Sequence, residues 1–111
     1  MPEFGSPFSG LAKDKKLKNA ELIRAIRFMV ASEYEAVQMY MQLTESTDDK
    51  LSIEVLKNIA DEERVHAGEL LQLLDELDPN EKKFYAQGTN EVEHEIKKMK
   101  SKRKNQKDEV K

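Results

Sequence analysis

Asp61-Glu62-Glu63-Arg64-Val65-His66 decides how this chain is read. The six residues lie inside a stretch whose apolar residues recur three and four apart, the spacing of a packed helix face. That seam runs Leu56, Ile59, then Glu63 and His66 where apolar residues are expected, then Leu70, Leu73 and Leu77. An upstream seam carries the same interruption: Ile23, Ile26, Val30, then Glu33, then Val37, Tyr40 and Thr44. Two long amphipathic helices, each with acid or imidazole where core should be, therefore organise the reading.

The punctuation around them is clear. The first helix begins near Leu17 to Asn19, with Asn19 as a candidate cap, and ends in the polar cluster Glu45-Ser46-Thr47-Asp48-Asp49-Lys50. The second runs from about Asp49 to Leu77 and stops at Asp78-Pro79-Asn80, because proline disfavours helix in the residue before it. Each spans about 28 residues, or roughly 40 Å. A short polar turn between them makes an antiparallel hairpin the natural arrangement.

Counting then aligns the interruptions. Glu33 lies 15 residues before Asp48 in the turn and Glu63 lies 15 after it, so an antiparallel hairpin sets both at one height. His66 follows Glu63 by three residues, just under one turn, and shares its side of the helix. Burying two carboxylates and an imidazole without a partner would cost several kcal/mol per charge. A divalent cation removes that cost, and this donor set suits iron, manganese or zinc rather than calcium. Glu-x-x-His alone occurs by chance in many helices. Here three ligand-type residues meet on the seam at one height and nowhere else on it.

Di-iron carboxylate bundles take one Glu from each of two helices and Glu-x-x-His from each of the other two. Glu33 with Glu63-Arg64-Val65-His66 is half of that set. Two hairpins about a two-fold axis would complete it, so the expected architecture is all-α: an antiparallel two-helix hairpin plus a short C-terminal helix, dimerising into a four-helix bundle.

Composition agrees. The chain has 111 residues, with 37% charged, 6% aromatic, three Pro and four Gly, which suits one small long-helix domain that associates with copies of itself. It has no Cys, which excludes disulfides, cysteine zinc sites and a four-Cys iron site, and is compatible with a cytoplasmic setting. No apolar run nears the roughly 20 residues of a membrane span, and no secretory signal is visible. Lys97–Lys111 holds eight Lys/Arg against two Asp/Glu, while residues 1–96 hold 11 against 20. An acidic body of net −9 favours cations over nucleic acid.

Residues 1–10 have no helical period and contain Glu-Phe-Gly-Ser, which adjacent cloning sites encode; they are expected to be a vector-derived or disordered arm. The domain is expected over residues 11–96. After Pro79, Glu81–Ala86 reads as one or two helical turns and Gln87-Gly88-Thr89-Asn90 as a break. A short helix follows from Glu91 to about Lys104, with Val92, Ile96 and Met99 on one side. Residues 97–111 are expected to be a basic, disordered tail or linker. Glu91-Val92-Glu93-His94 repeats the Glu-x-x-His spacing, and His94 is read as incidental.

The stretches Glu33-Tyr34-Glu35-Ala36-Val37-Gln38-Met39-Tyr40 and Asp61 to Leu71 resemble the ferritin-like superfamily. The resemblance, from Ala20 to Pro79, is to the short two-helix encapsulated ferritins and their rubrerythrin-like relatives. It implies a ferroxidase that converts Fe(II) to Fe(III) at a di-iron site formed between two subunits, with Mn or Zn as substitutes. It implies Glu33, Glu63 and His66 as metal ligands and Tyr40 as a residue hydrogen-bonding near the site. It further implies homodimers assembled into a ring, often a decamer, housed with an encapsulin shell protein inside a nanocompartment in the cytoplasm, for iron storage. Glu35 and Glu62 would form a reduced entry site on the flank, an oxygen-only pair that also suits calcium. Members often carry an acid where Ser32 stands and a tryptophan where Met39 stands. The other readings are a rubrerythrin-like di-iron or manganese peroxide scavenger and a metal-free helical-hairpin interaction module.

Overall fold

The computed structural model describes residues 16–110, with side chains described through residue 106. Residues 1–10, read as an arm, lie outside the described residues. Those described form three α-helices and no strand: α1 (Asn19–Glu45), α2 (Lys50–Leu77) and α3 (Asn80–Val110). No helix among them is long and apolar enough to cross a membrane. The chain divides into two compact units, the α1–α2 hairpin ending at Asp78 and a second unit beginning at Pro79.

Local chemistry sets the helix ends. At the start of α1 the Lys18 backbone N–H donates to Glu21 Oε1 at 2.9 Å, which satisfies a terminal donor and puts the carboxylate at the positive end of the helix. Asp49 rather than a residue inside the helix caps α2, its carboxylate accepting from the Ser52 backbone N–H at 3.0 Å and from the Ser52 hydroxyl at 2.5 Å. Those two bonds hold the Asp49 carboxyl below its ordinary value. A depressed carboxylate contributes stability above its unfolded pKa, and that contribution is lost as pH falls through the folded value. Asp49→Ala is therefore expected to lower the thermal midpoint at neutral pH, and the gap to the parent is expected to close in acid; melts across a pH series check this.

The hairpin core is one column of side chains from each helix. From α1 it is Val30, Val37 and Thr44, seven apart, with Ile23, Ile26, Glu33 and Tyr40 half-buried beside them. Thr44 is buried because its hydroxyl donates to the Tyr40 carbonyl one turn back at 2.8 Å. From α2 the column is Ala60, Ala67 and Leu74. Arg27 and Asp78 form an ion pair at 3.6 Å, joining the first third of α1 to the end of α2.

The α2 seam differs from the expected one in an informative way. Leu56, Glu63, Leu70 and Leu77 are half-buried as anticipated, but Leu73 is 44% exposed and His66 also lies outside the core. Two seams flank that seven-residue column. On one side Ala60, Ala67 and Leu74 are buried; on the other Ile59 is half-buried and His66 and Leu73 are exposed. Alanines form the buried side because they allow two backbones to approach closely, and their weak hydropathy hides them beside leucines.

The outward side of the hairpin is also apolar. Leu22, Met29, Met39 and Leu43 of α1 and Val55 and Leu73 of α2 are exposed large apolar residues, more than scattered surface hydrophobes account for.

The second unit is one helix of 31 residues. This corrects two expectations: Gln87-Gly88-Thr89-Asn90 is no break, and 97–110 is helical rather than an unstructured tail. Gly88 and Thr89 are poor helix formers, each costing up to about 1 kcal/mol, which the Glu, Lys, Gln and Ala residues around them offset.

Candidate metal centre

Glu33 reaches the inner edge of the hairpin from the middle of α1, and Glu63 meets it from the middle of α2. The equal count of residues from the turn produces this alignment. His66, one turn on, brings Nδ1 to 3.8 Å from Glu33 Oε2 and 3.7 Å from Glu63 Oε2. One ligand atom from each of the three residues lies within 4.8 Å of the others. The side chains grade outward: Glu63 is 19% exposed, Glu33 22% and His66 49%. The cluster thus opens onto the apolar outward face, with the carboxylates at its floor and the imidazole at its rim.

Its electrostatics are those of an unsatisfied set. Glu33 Oε2 is buried and makes no hydrogen bond, and neither does the Ser32 hydroxyl beside it in sequence. The neighbouring Glu63 carboxyl, which favours a proton held between the two, raises the Glu33 pKa above its ordinary value. Burial and repulsion from Glu63 push the same way, and His66 pulls it partly back. A carboxyl with a raised folded-state pKa contributes stability that is fully present below its ordinary value and is lost as pH rises through the folded value. Glu33→Gln is therefore expected to stabilise the metal-free chain at neutral pH by about 1 kcal/mol and to flatten the dependence of its melting temperature on pH above the ordinary carboxylate range. A cation does the same work as the proton: two carboxylates and an imidazole with an orphaned buried oxygen fit a transition metal with oxygen and nitrogen preference. Protons compete with the metal for these donor atoms, so affinity is expected to weaken as pH is lowered.

The other anticipated residues stand apart. Tyr40, one position further along the α1 column, is half-buried and lines a groove of about 530 Å³ with Ala36, Met39, Leu43 and Leu56. Glu35 is half-buried and Glu62 exposed, and neither enters the cluster. His94 is exposed on α3. Among the described residues, Glu33, Glu63 and His66 are the group arranged to hold a metal ion.

Comparison with known proteins places the chain among relatives. A protein-family model described as rubrerythrin matches residues 25–109. The chain is similar to the encapsulin nanocompartment cargo protein EncC of Myxococcus xanthus, 33% identical over 81 residues. That match takes in 73% of this chain and 61% of the relative. It is similar to a ferritin-like–encapsulin shell fusion protein of Pyrococcus furiosus, 31% identical over 80 residues, 72% of this chain and 23% of the relative. The chain thus spans less than two thirds of either protein's length. Among solved structures it resembles the encapsulated ferritin domain from Pyrococcus furiosus, with a TM-score of 0.75 and 27% identity over 83% of this chain and 94% of that one.

Proposed function

Because the chain belongs to the rubrerythrin family and has the ferritin-like fold of an encapsulated ferritin domain, we propose that it is an encapsulin-associated ferroxidase. Its substrate is Fe(II), and Glu33, Glu63 and His66 of two copies hold the metal. The observation that carries this reading is the half-site: three ligand groups within 4.8 Å, one of them half exposed, opening onto an apolar face. A second hairpin laid on that face would cover Leu22, Met29, Leu43 and Leu73 and bring a second Glu33, Glu63 and His66 opposite the first. One relative named above is an encapsulin nanocompartment cargo protein and the other a ferritin-like–encapsulin shell fusion, and an open pair or ring of hairpins has no cavity in which to keep a mineral; a shell partner would supply one.

The chain's own groups have separable roles. Glu33 and Glu63 supply negative charge and oxygen donors. His66 supplies a nitrogen donor from the rim and remains within reach of both carboxylates. Tyr40, two turns along the same helix, would hydrogen-bond near the site, and Glu35 and Glu62 would be flank acids along the route of approach. Iron in this site would supply one-electron chemistry, each Fe(II) losing one electron to dioxygen or peroxide.

The test is an anaerobic titration of purified protein with Fe(II), followed by admission of oxidant. Expected are binding of about one iron per chain, a shift from monomer to dimer or larger, and oxidation faster than in buffer. A protein that stays monomeric and binds no Fe(II) overturns the reading. Faster turnover with peroxide than with dioxygen would favour the peroxide-scavenging chemistry that membership of the rubrerythrin family also admits.

A further inference from the structure

Between residues 85 and 102 the described side chains of α3 set an apolar stripe between two charged flanks, and Arg103 ends the stripe. Val92, Ile96 and Met99 recur four and three apart and are exposed, with Tyr85 a further seven back on the same line. One flank carries Glu91, Glu95, Lys98 and Lys102; the other carries Glu93 and Lys100. Glu95 and Lys98 lie 3.7 Å apart, confirming that they share a flank. Between residues 91 and 102 the acids of both flanks come before residue 96 and the bases after 97, while Lys82, on the Lys100 flank, lies outside that span.

A helix with this polarity matches a copy of itself in one orientation. When two helices pack antiparallel, each flank faces the same flank of its partner; when parallel and in register, acids stand level with acids and bases with bases. We propose that α3 is a self-association surface, pairing antiparallel with α3 of a second copy of this chain about a two-fold axis between Ile96 and Lys97. Glu91 then stands level with Lys102 of the second copy, Glu95 with its Lys98 and Glu93 with its Lys100, each pair equidistant from the axis. The apolar residues interleave rather than collide: the second Met99 falls at a height between Val92 and Ile96, and the second Ile96 between Ile96 and Met99. Burial of the stripe drives the pairing, and the charges, each exposed pair worth little alone, set its direction. The pairing uses none of Glu33, Glu63 and His66, so it stands or falls apart from the iron reading.

The native chain has no Cys, so single cysteines in the full chain report the pairing directly. Ile96→Cys is expected to oxidise to a disulfide-linked dimer, and Ser101→Cys, on the opposite side of α3, to remain reduced. In the Ile96→Cys background, Glu91→Lys with Glu95→Lys is expected to lose self-cross-linking, as is Lys98→Glu with Lys102→Glu. Mixing the two is expected to restore a cross-linked heterodimer at least tenfold over either alone. Equal cross-linking at positions 96 and 101, or charge-reversed chains that cross-link like the parent, overturns the proposal. So does a mixture that restores nothing, which would point to parallel pairing or to α3 packing on a hairpin.

Discussion

Glu63→Ala is expected to lower the rate of Fe(II) oxidation by about 100-fold or more and to abolish tight iron binding. The size follows from its place. Glu63 is the least exposed of the three ligand groups, touches both of the others and, in a two-fold assembly, is lost twice per site. The variant is expected to fold, because removing one of two adjacent carboxylates relieves repulsion that the metal-free chain otherwise carries. Circular dichroism of the variant and stopped-flow oxidation kinetics read the two effects separately. Glu62→Ala, one residue away but exposed and outside the cluster, is expected to bind iron with near-parent affinity and to slow delivery only modestly. If Glu63→Ala oxidises iron like the parent, the ligand assignment fails even with the fold intact.

The second large effect compares two neighbouring leucines. Leu74 is 2% exposed and fills the α1-facing column, so Leu74→Ala is expected to cost about 2–5 kcal/mol, enough to unfold much of an isolated hairpin with so small a core. Leu73→Ala removes the same atoms from the outward face. It is expected to leave the metal-free monomer within about 1 kcal/mol of the parent while weakening self-association. Urea denaturation and sedimentation equilibrium of both variants distinguish the two faces. Equal losses of stability would mean that α2 has one apolar face and not two.

Much of the hairpin is legible in residue order because its signals are local. The Ser46–Asp49 turn, the stop before Pro79 and the three-four rhythm through Val30, Val37 and Thr44 all act within a few residues. The level match of Glu33 and Glu63 needs only counting from Asp48. What is not legible depends on packing. Along α2, strong apolar residues stand on one side of a shared column and alanines on the other, so the rhythm through Ile59 and Leu73 looks like the core. The burial of Ala60 and Ala67 is hidden behind Ile59, His66 and Leu73. For the same reason spacing alone points His66 inward, whereas it stands at the rim. In α3, Gly88 and Thr89 carry a real local penalty, but the summed propensity of their neighbours outweighs it. The expected split into a short helix and a tail gives way to one helix through Val110.

The column Leu56, Glu63, Leu70 and Leu77 lies along the border of two faces, one buried through Ala60, Ala67 and Leu74 and one more exposed through Ile59, His66 and Leu73. A substitution there is judged by two neighbourhoods, whereas one at Ala60 or Leu73 is judged by one. Saturation mutagenesis of α2 should therefore give a tolerance profile with its deepest minima every seven residues, beginning at Leu56. The flanking positions would diverge according to selection: survival of the fold would penalise changes at 60, 67 and 74, and assembly would penalise changes at 59, 66 and 73.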